Sequence, residues 1–370
     1  MPLTLLEVQN LRLFEKFRFT PDLHLNLIVG RNASGKTSLL EAIHLLGTGR
    51  SFRTTHLNQL IRYTTPSFLV SGLFDDEGVP AIRLALQRDS QHSRFSLGGS
   101  PQPSASALAR TLPLQIISPD SHFQFFTNTR HRRGILDWGV FHVEPDFYVQ
   151  WVRYQRALNQ RSAALKAHQL PKACFAWDPE LVESGEQLQG YRRQFLEEWN
   201  VRFQHYCFHL LGTSATEIEL KQGWDPGASL DQTLHKERGW DLQSGTTHSG
   251  PHRADVALSF SGQPARISAS HGQQKLLVMA LRLAQMEIFT QKTRRHCVVL
   301  VDDLAAELDP IHRQQLMHTL ANMSLQVFIT ATEAGLVDTQ GWLSHKVFHV
   351  ERGALEQKQP TQTPLNKAAK

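Results

Sequence analysis

GRNASGKT, residues Gly30 to Thr37, decides the fold of this 370-residue chain. It has the form G-x-x-x-x-G-K-[ST], a loop that cradles the phosphates of a nucleotide. Phosphate is a dense anion, and a tight glycine-containing loop lets several backbone N–H groups converge on it. The flanks fit that chemistry. Residues 23–29, LHLNLIV, alternate and then run apolar as a buried strand does, and residues 37–46 place Leu39, Leu40, Ile43 and Leu46 at helical spacing. A strand–loop–helix order aims the positive end of the helix dipole at the loop. The nucleotide is therefore expected along Gly30, Arg31, Asn32, Ala33, Ser34, Gly35, Lys36, Thr37 and Ser38. Lys36 is expected to reach the terminal phosphates of ATP and Thr37 to give its hydroxyl to Mg²⁺. The bland alternative, a glycine turn beside a surface lysine, explains neither the strand before nor the helix after.

A magnesium nucleotide site also needs a carboxylate on a neighbouring strand. CVVLVDD (297–303) supplies one: a continuous apolar run, as a strand covered on both faces has, ending in Asp302 and Asp303. Asp302 is expected to hold Mg²⁺ or its water, and Asp303 to orient the water that attacks the γ-phosphate. The competing reading has both residues capping the following helix. Lys36 and Asp302 stand 266 positions apart, far more than a compact NTPase needs, which leaves room for an insertion.

Just before that strand, SHGQQK (270–275) opens a helical pattern with Leu276, Leu277, Ala280, Leu281, Ala284 and Ile288 on one side. Ser270, Gly272 and Gln273 resemble the S-x-G-Q core of an ABC-type signature, and Gln273 lies 29 positions before Asp302. The same residues also form an S-x-x-Q capping box, and both readings stand. In ABC-type proteins this helix start binds the γ-phosphate of a nucleotide held by the other subunit, so the resemblance implies an ATP-dependent homodimer. Glu307, Leu308 and Asp309 resemble the D-loop that crosses such an interface, and Thr330 stands where related proteins carry a switch residue.

The middle of the chain has a different rhythm. Phe147, Trp151, Tyr154, Leu158 and Leu165 recur at helix-seam spacing, and Leu188, Tyr191, Phe195, Trp199, Phe203, Tyr206 and Leu210 continue a second stripe after Pro171. Asp178 and Pro179 read as a capping side chain and a first-turn ring. Two helices with a short break predict an antiparallel arm. Short β-like runs fill 68–97 around a turn at Asp75–Gly78, and GGSPQPS (98–104) reads as an exposed loop. Strand–helix alternation at both ends, with helices between, implies one α/β domain interrupted by an insertion. The phosphate loop and the resemblance to an ABC-type signature make the expected class an α/β P-loop NTPase of ABC/SMC head type with an inserted helical arm domain. The expected divisions are a first head segment at 1–121, the arm at 122–249, a second head segment at 250–353 and a loose polar tail at 354–370.

Composition narrows the function classes. Hydrophobic residues make up 41% and charged residues 20%, an ordinary globular balance. The longest apolar runs fall far short of the roughly 20 residues of a membrane helix, and the N-terminus has no signal-peptide pattern. Cys174, Cys207 and Cys297 stand far apart, which fits a reducing cytoplasm and excludes a disulfide framework. The 19 histidines form no HExxH pair. A net charge of +5 permits nucleic-acid binding without demanding it.

Together TGRSFRT (48–54), GPHRAD (250–255), SHGQQKLLVMALRLAQ (270–285) and VLVDDLAAELD (299–309) resemble the bacterial RecF family over nearly the full length. RNASGKT replaces the more usual NGQGKT, and His271 replaces a smaller or polar residue, but Lys36, Thr37, Ser270, Gly272 and Gln273 keep the pattern. The resemblance implies an SMC-like head with weak, DNA-stimulated ATP hydrolysis. It also implies ATP-dependent dimerisation on double-stranded and gapped DNA, work with RecO and RecR in loading RecA, and a link to the SOS response.

Phosphate contacts on DNA need Lys and Arg. The candidates are Arg50 with Arg53, the run Arg130, Arg132 and Arg133, and Arg153, Arg156 and Arg161 on the arm; each could equally be a solvated face. Arg53 is alternatively placed to approach the nucleotide, and His252 and Arg253 to support the joint between head and arm. Competing functions are an ATP-gated DNA clamp that does not need hydrolysis, a transporter motor, and an ATP-linked nuclease, the last lacking a further carboxylate cluster.

Overall fold

Leu25–Val29 and Cys297–Val301 are buried at every position, as the strands of a parallel sheet covered on both faces must be. The computed structural model describes residues 2–76, 79–167, 170–304 and 308–358. Among them the strands are, in chain order, β1 (Leu3–Leu11), β2 (Phe14–Phe19), β3 (Leu25–Val29), β4 (Ser67–Asp76), β5 (Val79–Asp89), β6 (Ser93–Leu97), β7 (Ser100–Gln102) and β8 (Leu114–Ile117), then β9 (Thr216–Lys221), β10 (Asp255–Phe260), β11 (Gln263–Pro264), β12 (Cys297–Val301), β13 (Leu325–Ala331), β14 (His345–Glu351) and β15 (Ala354–Lys358). The helices are α1 (Lys36–Thr48), α2 (Ser106–Thr111), α3 (Ser121–Thr127), α4 (Thr129–Val143), α5 (Phe147–Lys166) and α6 (Pro171–Phe175), then α7 (Asp178–Leu211), α8 (Leu230–Ser244), α9 (Ala265–Ser268), α10 (His271–Thr293) and α11 (Pro310–Ala321).

The chain divides into two compact units, one from its two ends (Met1–Pro119 and Arg294–Lys370) and one from its middle (Asp120–Thr293). In the first, one sheet runs β15-β14-β3-β13-β12-β8, parallel except for β15, and a second, antiparallel sheet runs β2-β1-β4-β5-β6-β7. Helix α1 lies between them. Leu39, Leu40, Ile43 and Leu46 share one core with Leu3, Leu6, Val70 and Leu86 of the antiparallel sheet and with Ile28, Val298, Leu300 and Phe328 of the parallel one. Truncating any one of these leucines to alanine costs about 2–5 kcal/mol. Gln326 staples the sheets: buried, it accepts from Leu3 N at 2.8 Å and donates to Leu3 O at 2.9 Å. The register Val29 to Ala331, and Ile329 and Ile117 to Val301, brings the carboxyl ends of β3, β13, β12 and β8 to one edge. Open α/β sheets bind ligands at that edge.

Two expectations for this unit change. Within GGSPQPS, Gly98 and Gly99 both have positive φ (57° and 85°) and turn the chain into β7, a short exposed edge strand on β6. Two left-handed residues are what a tight hairpin turn requires, and Pro101 is tolerated at an edge. The tail does not begin at Ala354: residues 354–358 pair with β14 as β15, a polar edge strand. Positions 77 and 78 of the expected turn and positions 359–370 of the expected tail lie outside the described residues.

In the second unit α5 and α7 are antiparallel, because their ion pairs run in opposite order: Arg161 with Asp178, then Arg153 with Glu180 and Glu183. The seam differs in detail. Trp151 is 39% exposed and stacks on Tyr148, whereas Arg161 is fully buried in the seam. Asp178 does not cap α7; its carboxylate accepts from Arg161 at 2.8 Å and Arg238 at 3.0 Å. The unit continues past residue 249 to Thr293, since β10 pairs along its length with β9 and the Trp199 indole N–H donates to Leu281 O of α10 at 2.9 Å.

Candidate nucleotide-binding site

Between β3 and α1 the loop turns through left-handed conformations at Ala33 (φ 61°) and Gly35 (φ 116°), the kind of alternation that directs N–H groups into one concavity. A Cβ on Gly30 would stand 2.3 Å from Val350 O, and one on Gly35 3.2 Å from Phe14 Cζ, so both positions need glycine. No side chain caps α1 at Gly35, so the N–H groups of its first turn are available to a ligand. Ser34 Oγ is buried with no hydrogen-bond partner. An anion with several acceptor oxygens suits all of these features.

Lys36 Nζ reaches back over the loop to Gly30 O at 2.7 Å and Arg31 O at 3.0 Å, using two of its three donors. Burial pulls its ammonium below the ordinary lysine range, while Asp303 and Asp302 pull the other way. A lysine held so at a helix start is complementary to phosphate.

The expected carboxylates sit beside it. Thr37 Oγ1 donates to Asp302 Oδ1 at 3.0 Å, and Thr330 Oγ1 donates to the same oxygen at 2.7 Å. Thr330 Oγ1 in turn accepts the Asp303 N–H at 2.8 Å. Burial pushes the Asp302 carboxyl above its usual range; the bonds from Thr330 and Thr37 and the charge of Arg53 oppose that, and Asp303 adds to it. A buried acid beside a second acid, with a hydroxyl at its side, is an oxygen set that suits a hard dication. Asp303 takes a left-handed conformation (φ 52°), a strain that costs on the order of 1–3 kcal/mol and that folds hold mainly at functional positions. Neither acid is the cap of α11. That role belongs to Asp309, whose side chain accepts from Ile311 N and His312 N. Glu307, expected with it in the D-loop, lies outside the described residues.

The sequence pattern did not reveal what holds TGRSFRT in place. Glu41 of α1 accepts from Arg12 and from the Ser51 hydroxyl, a contact between distant positions with no spacing signal.

In the second unit, Ser270 and Gln273 form the reciprocal capping box: Gln273 Oε1 accepts Ser270 N–H at 2.8 Å and Ser270 Oγ accepts Gln273 N–H at 3.3 Å. Ser270, His271 and Gly272 are exposed, and a Cβ on Gly272 would meet open space. The box thus leaves the helix start accessible. GPHRAD is architectural within this unit. A Cβ on Gly250 would come within 2.5 Å of the Tyr154 hydroxyl, which bonds His252 Nδ1 at 2.6 Å. His252 Nε2 and Arg253 both bond Thr247 O. Burial lowers the His252 pKa to about 4.

The arginine candidates divide. Arg132 clamps Asp255 with two bonds of 2.7 and 2.8 Å and also bonds Phe125 O. Arg133 donates to Ala254 O, Arg153 to Glu180 and Glu183, and Arg161 to Asp178, Asp241 and Thr247. These groups hold the unit together. Arg50, Arg53, Arg130 and Arg156 are exposed.

Comparison with known proteins bears on the fold and the family. The RecF/RecN/SMC N terminal domain family matches residues 2–356. The DNA replication and repair protein RecF of Pseudomonas putida (strain GB-1) is 40% identical over 342 residues, covering 91% of this chain and 93% of that one. The protein of the same description from Pseudomonas fluorescens is 39% identical over 362 residues, with 96% and 98% covered. A solved structure of the recombination mediator protein RecF with ATP, in the RecFOR pathway, superposes with a TM-score of 0.85 at 24% identity over 97% of this chain and 98% of that one. The chain belongs to the RecF family, and its fold is that of an ABC/SMC-type ATPase head.

Proposed function

We propose that this chain is an ATP-dependent DNA-binding protein of recombinational repair and replication maintenance. The observation that carries the reading is the convergence of Thr37 and Thr330 on one oxygen of Asp302, beside a lysine folded over a glycine loop. In this reading the first unit is the nucleotide head, and the second carries the arm helices and the Ser270 helix. Mg²⁺ supplies Lewis-acid stabilisation of the phosphates when bound; Thr37 and Asp302 are the residues that hold it. Lys36 neutralises the terminal phosphates, and Asp303 orients water for slow hydrolysis. Ser270, Gly272 and Gln273 of a second copy close on the γ-phosphate, with Glu307 and Asp309 crossing between the copies. ATP therefore joins two heads on DNA and hydrolysis releases them. Relatives described as DNA replication and repair proteins support the DNA-directed role. Work with RecO and RecR in loading RecA at gaps is part of the same proposal. No helix among the described residues is long and apolar enough to cross a membrane.

Light scattering with ATP, ADP and gapped DNA tests the proposal. Dimers are expected with ATP only, and Lys36→Met remains monomeric. A parent chain that stays monomeric with ATP and gapped DNA present ends this reading.

A further inference from the structure

One buried acid near the nucleotide site has no part in the scheme above. Glu41 is fully buried on α1, one turn beyond Thr37 on the same helix face. Its Oε2 accepts Arg12 Nε at 3.0 Å, and its Oε1 accepts Arg12 Nη2 at 3.1 Å together with the Ser51 hydroxyl. A carboxylate remains in an interior only where such partners offset its desolvation.

Ser51 passes the anchorage on. Its oxygen accepts the N–H groups of Arg53 at 3.0 Å and Thr54 at 3.1 Å, a serine turn that fixes the local backbone. The segment's other end is tied to α1 as well: His44 Nδ1 and Arg50 O lie 2.7 Å apart, and Gly49 closes the helix with φ 65°, where a Cβ would stand 2.5 Å from Ala105 Cβ. Residues 49–54 are thus fastened at two points to the helix whose first turn carries Lys36 and Thr37. The Arg53 side chain is exposed, and its backbone hangs from the Ser51 hydroxyl that is anchored on Glu41, one turn from Thr37.

We propose that Glu41 is a positioning residue for nucleotide binding: through the Ser51 hydroxyl it holds the Arg53 backbone so that the guanidinium faces the anionic end of ATP. The inference rests on the ATP-site reading above. An apolar residue at position 41 would fill the same space but give Ser51 no acceptor, and the loop would carry Arg53 without a fixed direction. A donor fixed in advance loses less freedom on binding than one on a loose loop.

A thermodynamic cycle on the full chain tests this, with ATPγS and Mg²⁺ titrated by calorimetry. Arg53→Ala is expected to weaken binding about tenfold. Ser51→Ala is expected to weaken it about 3- to 10-fold in the parent and less than about twofold when Arg53 is already alanine. Ser51→Thr, which keeps the hydroxyl, restores affinity, and Glu41→Leu, which leaves Ser51 no acceptor, behaves in the cycle as Ser51→Ala does. Losses from Ser51→Ala and Arg53→Ala that simply multiply overturn the positioning role, as does an Arg53→Ala variant that binds like the parent. Lys36→Met in the same titration reports on the ATP site itself: undiminished binding there would remove the underlying reading rather than the role of Glu41.

Discussion

Thr330 donates its hydroxyl to Asp302 at 2.7 Å and, through the same oxygen, accepts the backbone N–H of Asp303 at 2.8 Å. One side chain on β13 therefore fixes the acid proposed to hold the metal and the backbone of the acid proposed to orient water. Since β13 lies between β3 and β12 in the sheet, a shift of this strand moves both acids together.

Thr330→Val removes both bonds and keeps the volume. A hydrogen bond to a charged group contributes about 1.5–3 kcal/mol, so single-turnover ATP hydrolysis is expected to fall about 10- to 100-fold, with ATPγS affinity changed far less. Thr330→Ser restores the rate. Equal losses of affinity and rate would show that Thr330 supports the loop in general rather than the acids.

Burial of His252 predicts an acid-sensitive second unit. Its pKa falls from 6.5 to about 4, so the folded chain keeps it neutral while the unfolded chain takes up a proton below its ordinary value. Stability is complete above pH 6.5 and is lost as the pH falls toward 4, by up to about 3 kcal/mol for this residue. His131, whose pKa is likewise lowered to about 4 by burial and by Arg282 and Arg132, adds in the same direction. Urea midpoints measured between those limits should fall with acid. His252→Gln lowers stability at neutral pH and flattens the acid slope, and an unchanged slope would place the acid sensitivity elsewhere.

The glycine loop, the apolar strand ending in two acids and the Ser270 helix were legible because each is a local pattern with its own periodicity. What escaped depends on distance. Arg132 and Arg161 read as phosphate ligands because a run of arginines looks the same whether its partners are nucleotides or carboxylates such as Asp255 and Asp241 far along the chain. Trp151 fits the apolar seam by spacing, yet the seam at Arg161 is filled by a charge whose two acids arrive from α7 and α8. The hairpin into β7 was hidden because GGSPQPS carries no apolar alternation to mark a strand. The extent of the second unit turns on β9 meeting β10, strands from opposite sides of α8.

Arg130 and Arg132, two positions apart, should behave differently on DNA. Binding to about five backbone phosphates predicts a roughly 500-fold loss of affinity between about 50 and 200 mM salt. Arg130, exposed on α4, should when changed to alanine reduce the slope of that dependence by about one. Arg132→Ala breaks the clamp on Asp255 and should lower the urea midpoint instead, with the slope unchanged in protein that remains folded. A flat salt response in the parent would remove the phosphate-contact model altogether.

Ser270 tests whether nucleotide is grasped from a second copy. In the single chain its oxygen caps α10 and its surroundings are open, so a larger side chain at 270 has no internal clash to relieve. Ser270→Arg loses the cap, at about 1 kcal/mol, and places a bulky cation where the partner head would close on phosphate. ATP binding to the monomer, read by calorimetry at low protein concentration, is expected to match the parent, while ATP-induced dimers disappear in light scattering. Ser270→Ala loses the same cap and adds no bulk, so it separates the two effects: dimers retained by the alanine variant and lost by the arginine variant locate the fault in the second copy's approach. Dimers formed normally by Ser270→Arg would mean that the helix start never meets the partner's nucleotide.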